Sequence, residues 1–192
     1  LQGGVFLFFI FIIMKPLFKL AELIDAINNK LGVFAMWAIL ISCFISCANA
    51  VIRFVFNNSS NGWLEIQWYL FAAAVMLGAG MVLRVNEHVR VDVIYGQLST
   101  RAKVYIDLMG LVFFLLPVMV LMMYLSYPLF IDKFYSGEVS SNAGGLIRWP
   151  VWLMLPLGYL MILLQGISEI IKRVGWLTNQ YEMNLVYERP LQ

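Results

Sequence analysis

Four blocks of this chain, about Leu31–Phe56, Trp63–Leu83, Val104–Ile131 and Trp149–Ile171, stay predominantly apolar for more than twenty residues each. A helix rises about 1.5 Å per residue, so each block is long enough to cross a hydrocarbon layer of about 30 Å. A chain in lipid must satisfy its backbone N–H and C=O groups internally, which leaves helices or closed barrels, and runs this continuous are helical. The expected fold is therefore an all-α integral membrane protein with four transmembrane helices. The composition agrees: 62% of residues are hydrophobic, 12% are charged, and the mean hydropathy is +0.83. Trp63, Tyr69, Tyr105, Tyr127, Trp149, Trp152 and Trp176 fall near block ends, where interfacial aromatic anchors belong.

The segments outside the blocks differ in character. Residues 1–16 form an apolar N-terminal extension; Met14-Lys15-Pro16-Leu17 reads like a natural start, so residues 1–13 are expected to be an upstream extension or the remnant of a longer native segment, which the intact mass of the native protein checks. Over residues 17–30, Leu17, Leu20, Ile24, Ile27 and Leu31 recur every three or four positions with Lys19, Glu22, Asp25, Asn28 and Asn29 between them. That pattern predicts an amphipathic helix lying in the membrane interface ahead of the first span, or packed on a partner. Residues 31–173 make the four-span domain, and 174–192 a polar tail. The segment Ser136–Gly145 is small and polar and is expected to be an exposed, mobile loop.

Basic residues set the orientation. Lys15, Lys19, Lys30, Arg84, Arg90, Arg101, Lys103, Lys172, Arg173 and Arg189 fall on one side, against Arg53, Lys133 and Arg148 on the other. The positive-inside rule then puts both termini in the cytoplasm. A net charge of +2 is too small to argue for nucleic acid.

Between the second and third blocks, Arg84-Val85-Asn86-Glu87-His88-Val89-Arg90-Val91-Asp92 gathers two arginines, two acids and the single histidine. One histidine is too few for bis-histidine haem ligation, and a metal site around it lacks further nitrogen or sulfur ligands. No cofactor is expected. No nucleophile elbow, zinc-protease or phosphate-loop pattern is present, so the chain does not read as an enzyme. Read as a helix, Val89, Val93, Ile94 and Leu98 share one face, predicting a short amphipathic connector with Ser99 capping the next helix. Cys43 and Cys47, four residues apart in a span, read as packing residues. Arg53, Glu65, Asp107 and Glu169 lie within about a turn of a span end, where each can meet water, a headgroup or a neighbouring helix. Gly78-Ala79-Gly80 and Ala72-Ala73-Ala74 form a small-residue face suited to close helix contact, within the bundle or with a partner. Pro117 and Pro156 predict kinks. Glu65 also leaves room for a different reading, a small homo-oligomeric proton-coupled transporter; a membrane anchor of a redox complex is a third.

Trp63-Leu64-Glu65, Gly78-Ala79, Arg84, His88-Val89-Arg90-Val91-Asp92, Trp149-Pro150 and Leu155-Pro156-Leu157-Gly158 together resemble the small membrane subunit (DctQ-like) of tripartite ATP-independent periplasmic (TRAP) transporters, across about Leu17–Arg173. The resemblance implies a bacterial inner-membrane subunit of a sodium-coupled importer of organic anions, mostly carboxylates. It implies three partners: a large elevator-type membrane subunit of about a dozen spans, a transient periplasmic substrate-binding protein, and membrane lipids. The small subunit would clamp and widen the large one's scaffold without a substrate site. Glu65, Gly78, Arg84, His88, Arg90, Asp92, Trp149 and Pro156 would then be the candidate partner or lipid interface. Two departures stand out: Ile66 follows Glu65 where the family often has a second acid, and the 17–30 helix and the tail are longer than in minimal members.

Overall fold

The computed structural model describes residues 2–57, 60–85, 98–142 and 144–183, with side chains from Met14 onward. Four helices dominate it: α1 (Gln2–Phe56), α2 (Asn61–Val85), α3 (Thr100–Ser136) and α4 (Trp149–Leu177), each long and apolar enough to cross a membrane. This is the all-α, four-span architecture expected. Among the described residues the only β feature is an isolated bridge between Val139 and Ile147. The connector residues 86–97 and the tail from 184 lie outside the described residues.

The helices are sorted by solvent in the lipid sense. Large apolar side chains point outward, including Phe34, Trp37, Phe44, Trp68, Phe71, Phe113 and Phe114, while the buried positions are mostly small or polar, with a few aliphatic ones such as Ile24, Leu77 and Leu111. Lipid supplies no hydrophobic force between helices, so close approach of small residues and interhelical hydrogen bonds hold them. Along α1 the inward positions are Ala21, Ile24, Asn28, Gly32, Ala35, Ala38, Ser42, Ile45 and Asn49. Their mean step of about 3.5 residues is the period of a left-handed coiled-coil seam. Ala35 and Ala38 meet Ala74 of α2 there, with Leu70 alongside. Helix α4 packs against all three others and forms the centre.

The expected interfacial helix is not a separate element. Residues 17–30 continue into the first span as one helix, and they run past the end of α2 to lie along the second half of α4. Ser168 donates to the Ala21 carbonyl at 3.3 Å, and Phe18 meets Tyr181 at 5.2 Å between ring centroids. Asp25 and Asn28, expected among the polar residues of an interfacial face, turn inward, and Leu20, Leu23 and Ile27 turn out. The physical reason is that α4 offers polar partners at that depth, so burying Asp25 and Asn28 against it satisfies both sides. Cys43 and Cys47 also differ from expectation: both are free thiols facing away from the bundle.

Helix α3 accommodates Pro117 by a π turn over Gly110–Leu115, where the Leu116 N–H reaches back to the Leu111 carbonyl. Proline clashes with the carbonyl four residues before it, and a wider turn relieves that clash. Ser99 caps α3 as expected, accepting from the Ala102 N–H at 3.4 Å. Asn57 (φ 54°) follows α1 and Gly137 (φ 60°) follows α3, both left-handed, a conformation these residue types enter most readily.

Candidate functional site

Two polar clusters mark the two ends of the bundle. At the end where α2 meets the connector, the described carboxylates Asp25, Asp107 and Glu169 and the described cations Arg84, Lys172 and Arg173 form one network of ion pairs across all four helices. Lys172 binds Asp25 Oδ2 at 3.0 Å and also Glu169. Arg173 joins Glu169 to Asp107, the latter at 3.2 Å. Arg84 approaches Asp25 at 3.7 Å and donates to Asn29 Oδ1 at 3.2 Å. Gln165 extends the network toward the bundle centre: its Nε2 donates to Asp25 at 2.8 Å, and its Oε1 accepts from Asn28 Nδ2 at 2.9 Å. Ser168 adds a donor to Asp25 at 2.8 Å. Glu169, Lys172 and Arg173 are at most 7% exposed. Buried charges at such depth persist only when paired and hydrogen-bonded, as these are.

Close backbone approach makes room for the network. A Cβ on Gly80 would lie 2.1 Å from Asn28 Oδ1, so only glycine admits the Asn28 amide at this crossing. That oxygen is buried with no hydrogen-bond partner among the described residues and lies in the space a Gly80 side chain would take.

At the other end, the segment after α3 folds into a short hairpin. The Ser140 N–H donates to Leu146 at 2.9 Å and the Arg148 N–H to Glu138 at 2.9 Å. Glu65, only 4% exposed, ties this hairpin to α2. Its carboxylate accepts from Ser140 Oγ, from Asn142 Nδ2 at 2.8 Å and from the Leu146 N–H at 2.7 Å. Tyr69 donates to the Ile147 carbonyl at 3.1 Å. On the hairpin itself, Glu138 binds Lys133 and Arg148, the latter at 2.7 Å, and the Lys133 ammonium chiefly, then Arg148, holds its pKa below the usual carboxylate value. The segment expected to be a free loop is thus a folded cap whose tip, Ser141 and Asn142, is exposed.

Beneath this cap lies a groove of about 410 Å³ between α2 and α4. It closes where the helices touch: a Cβ on Gly158 would sit 2.9 Å from the Met76 carbonyl oxygen.

The residues singled out from sequence therefore separate. Glu65 anchors the hairpin, and Arg84 joins the charged network. Gly78 faces α1, where a Cβ would lie 3.1 Å from Ala35 Cβ, so it serves packing within the bundle. Trp149 starts α4 and meets Phe134 edge-on at 5.5 Å. Pro156 is buried within α4, which continues through it. His88, Arg90 and Asp92 lie outside the described residues. Gln165 and Ser168 escaped the sequence reading, and Asn28 entered it only as part of a water-facing side. The available signal was that Asn28 shares a 3–4 stripe with Gly32, Ala35 and Ala38, and that Gln165 and Ser168 are polar within a span.

Residues 42–175 match the family described as tripartite ATP-independent periplasmic transporters, DctQ component. That match covers more than half of the chain. The chain belongs to the DctQ family. As a DctQ component it is a small membrane subunit of a TRAP transporter, a class that associates with other TRAP components. The match begins inside α1, so the extension that carries Asp25 and Asn28 precedes it. No curated protein and no solved structure matches the chain.

Proposed function

We propose that this DctQ subunit is a rigid scaffold that clamps the large membrane subunit of a sodium-coupled importer of organic anions, most of them carboxylates, and that it holds no substrate site of its own. The observation that carries this reading is the interior. Among the described residues, all four helices are tied by one network of ion pairs, and the groove between α2 and α4 stops at the Gly158–Met76 contact. A carrier needs a ligand site that opens alternately to both sides; a cross-braced bundle suits a stationary support. The Glu65 geometry favours loop anchoring over proton coupling, because both carboxylate oxygens accept from donors of the hairpin.

The distribution of basic residues supports a bacterial inner-membrane location with the hairpin on the periplasmic face and both termini in the cytoplasm. The hairpin is then the part of this subunit available to the periplasmic binding protein, as a minor contact. Reconstitution tests the reading. Uptake is expected to need the large subunit, the binding protein and a sodium gradient, and to survive Glu65→Gln. Uptake by this chain alone in liposomes, abolished by Glu65→Gln, overturns it in favour of the self-contained transporter.

A further inference from the structure

The geometry points to the groove between α2 and α4 as a binding site for one phospholipid from the leaflet at the hairpin end. Its apolar walls come from Trp68, Ala72 and Met76 on one side and Val151, Trp152 and Leu155 on the other. Its rim is polar, with Glu65, Ser140, Asn142 and Arg148. From Glu65 to Met76 the helix descends eleven residues, about 16 Å. A bilayer core is about 30 Å thick, so this depth is one leaflet, with polar groups at headgroup level and apolar walls at acyl level.

The rim also selects the headgroup. Glu65 is turned toward the hairpin, where it already accepts from three donors. Arg148 is the opposite case: its side chain is 40% exposed and shares only one nitrogen with Glu138. Its remaining N–H groups form a fork suited to a phosphate. No side chain caps the N-terminus of α4 just below it, so the helix end adds its own preference for an anion. Half-exposed Tyr69 and Trp152 and exposed Trp68 line the mouth, where interfacial aromatic rings bracket the polar–apolar boundary. A partly exposed guanidinium, bound to Glu138 through one nitrogen only, above a leaflet-deep apolar slot fits a phosphodiester with its acyl chain below.

Native mass spectrometry of the protein purified in mild detergent from its own membrane is the test, followed by delipidation and titration in micelles with dioleoyl phosphatidylglycerol or with dioleoylglycerol, which lacks the phosphate. We expect one retained phospholipid, rebinding of the phospholipid, and weak or no binding of the diacylglycerol. Arg148→Gln, which removes the fork, is expected to weaken rebinding about tenfold, the loss of one charge-assisted contact, and Ala72→Trp, which fills the slot, at least as much. Val118→Trp on the outward face of α3 should leave it unchanged. Absence of a retained and rebinding lipid overturns the proposal, as does rebinding indifferent to both groove variants or equal binding of the diacylglycerol. A cysteine probe, Ala72→Cys in a Cys43→Ser, Cys47→Ser background, also overturns it if it crosslinks in native membranes to another membrane protein in high yield, because the groove is then a protein seat.

Discussion

At the hairpin end of the bundle a carboxylate is held by neutral donors; at the connector end carboxylates are held by cations. Glu65 accepts from a hydroxyl, an amide and a backbone N–H of one hairpin. Asp25 and Glu169 share Lys172, and Arg173 passes the connection on to Asp107. The first arrangement organises a local segment. The second couples four helices, so its members depend on one another. The ends should therefore fail differently when a partner is removed, one by loosening a loop and the other by weakening the whole bundle.

The largest effect should come from Lys172→Met. It leaves two carboxylates sharing the remaining cations in a nearly dry site, and breaking a buried ion pair from one side costs about 3–5 kcal/mol. Unfolding in detergent or bicelles, followed by tryptophan fluorescence, measures this. Adding Asp25→Asn returns the net charge to its original value and should recover a substantial part of the loss. A single-variant cost below about 1 kcal/mol, in the range of an exposed pair, would mean that the two ends do not differ as described.

Gly158→Ala ranks next. The added methyl would meet Met76 Cβ at 2.7 Å and its carbonyl oxygen at 2.9 Å, so α2 and α4 must move apart. Overpacking of this kind costs about 1–3 kcal/mol. Gly110→Ala is the matched control, since nothing lies within 4 Å of a Cβ there. Equal destabilisation by the two substitutions would remove the close α2–α4 contact from the account, and with it the floor of the groove.

Glu65→Gln should act locally. Leu146 then loses an ionised acceptor, and its amide should exchange with solvent on the order of tenfold faster, while the melting temperature of the bundle barely moves. A large drop in melting temperature would make Glu65 a bundle-wide brace like Lys172 and erase the contrast between the ends.

Much of this contrast was out of reach of the sequence. The four spans were legible because hydropathy is a property of each segment by itself, and Ser99 was legible because a cap bonds only three residues away. Glu65 was legible as a span-end acid, but not its role, because its partners lie 75–81 residues away on a segment rich in glycine and serine. Asn28 and Gln165, 137 residues apart, meet only because α1 runs past α2 to reach α4. The amphipathic pattern of residues 17–30 was read with its polar side toward water. The same 3–4 spacing serves equally when the polar side faces a polar helix, and periodicity does not distinguish the two.

The smallest effect concerns acidity at the hairpin. Lys133, first, and Arg148 hold the Glu138 pKa below its ordinary value of 4.5. A carboxylate with a lowered pKa in the folded state contributes its stability above the unfolded value and loses it as pH falls through the folded value. Protection of the Arg148 amide, which bonds the Glu138 carbonyl, should therefore be flat from neutral pH down to about 4.5 and decline only below it. The decline should vanish in Glu138→Gln, whose baseline is already lower. It should also be shallow, because the pair is open to water and screened by salt. Protection already falling between neutral pH and 4.5 would assign the hairpin's acid sensitivity to a group whose unfolded pKa lies above 4.5 and is lowered on folding. The cap would then be responding to another residue than the Lys133–Glu138–Arg148 cluster.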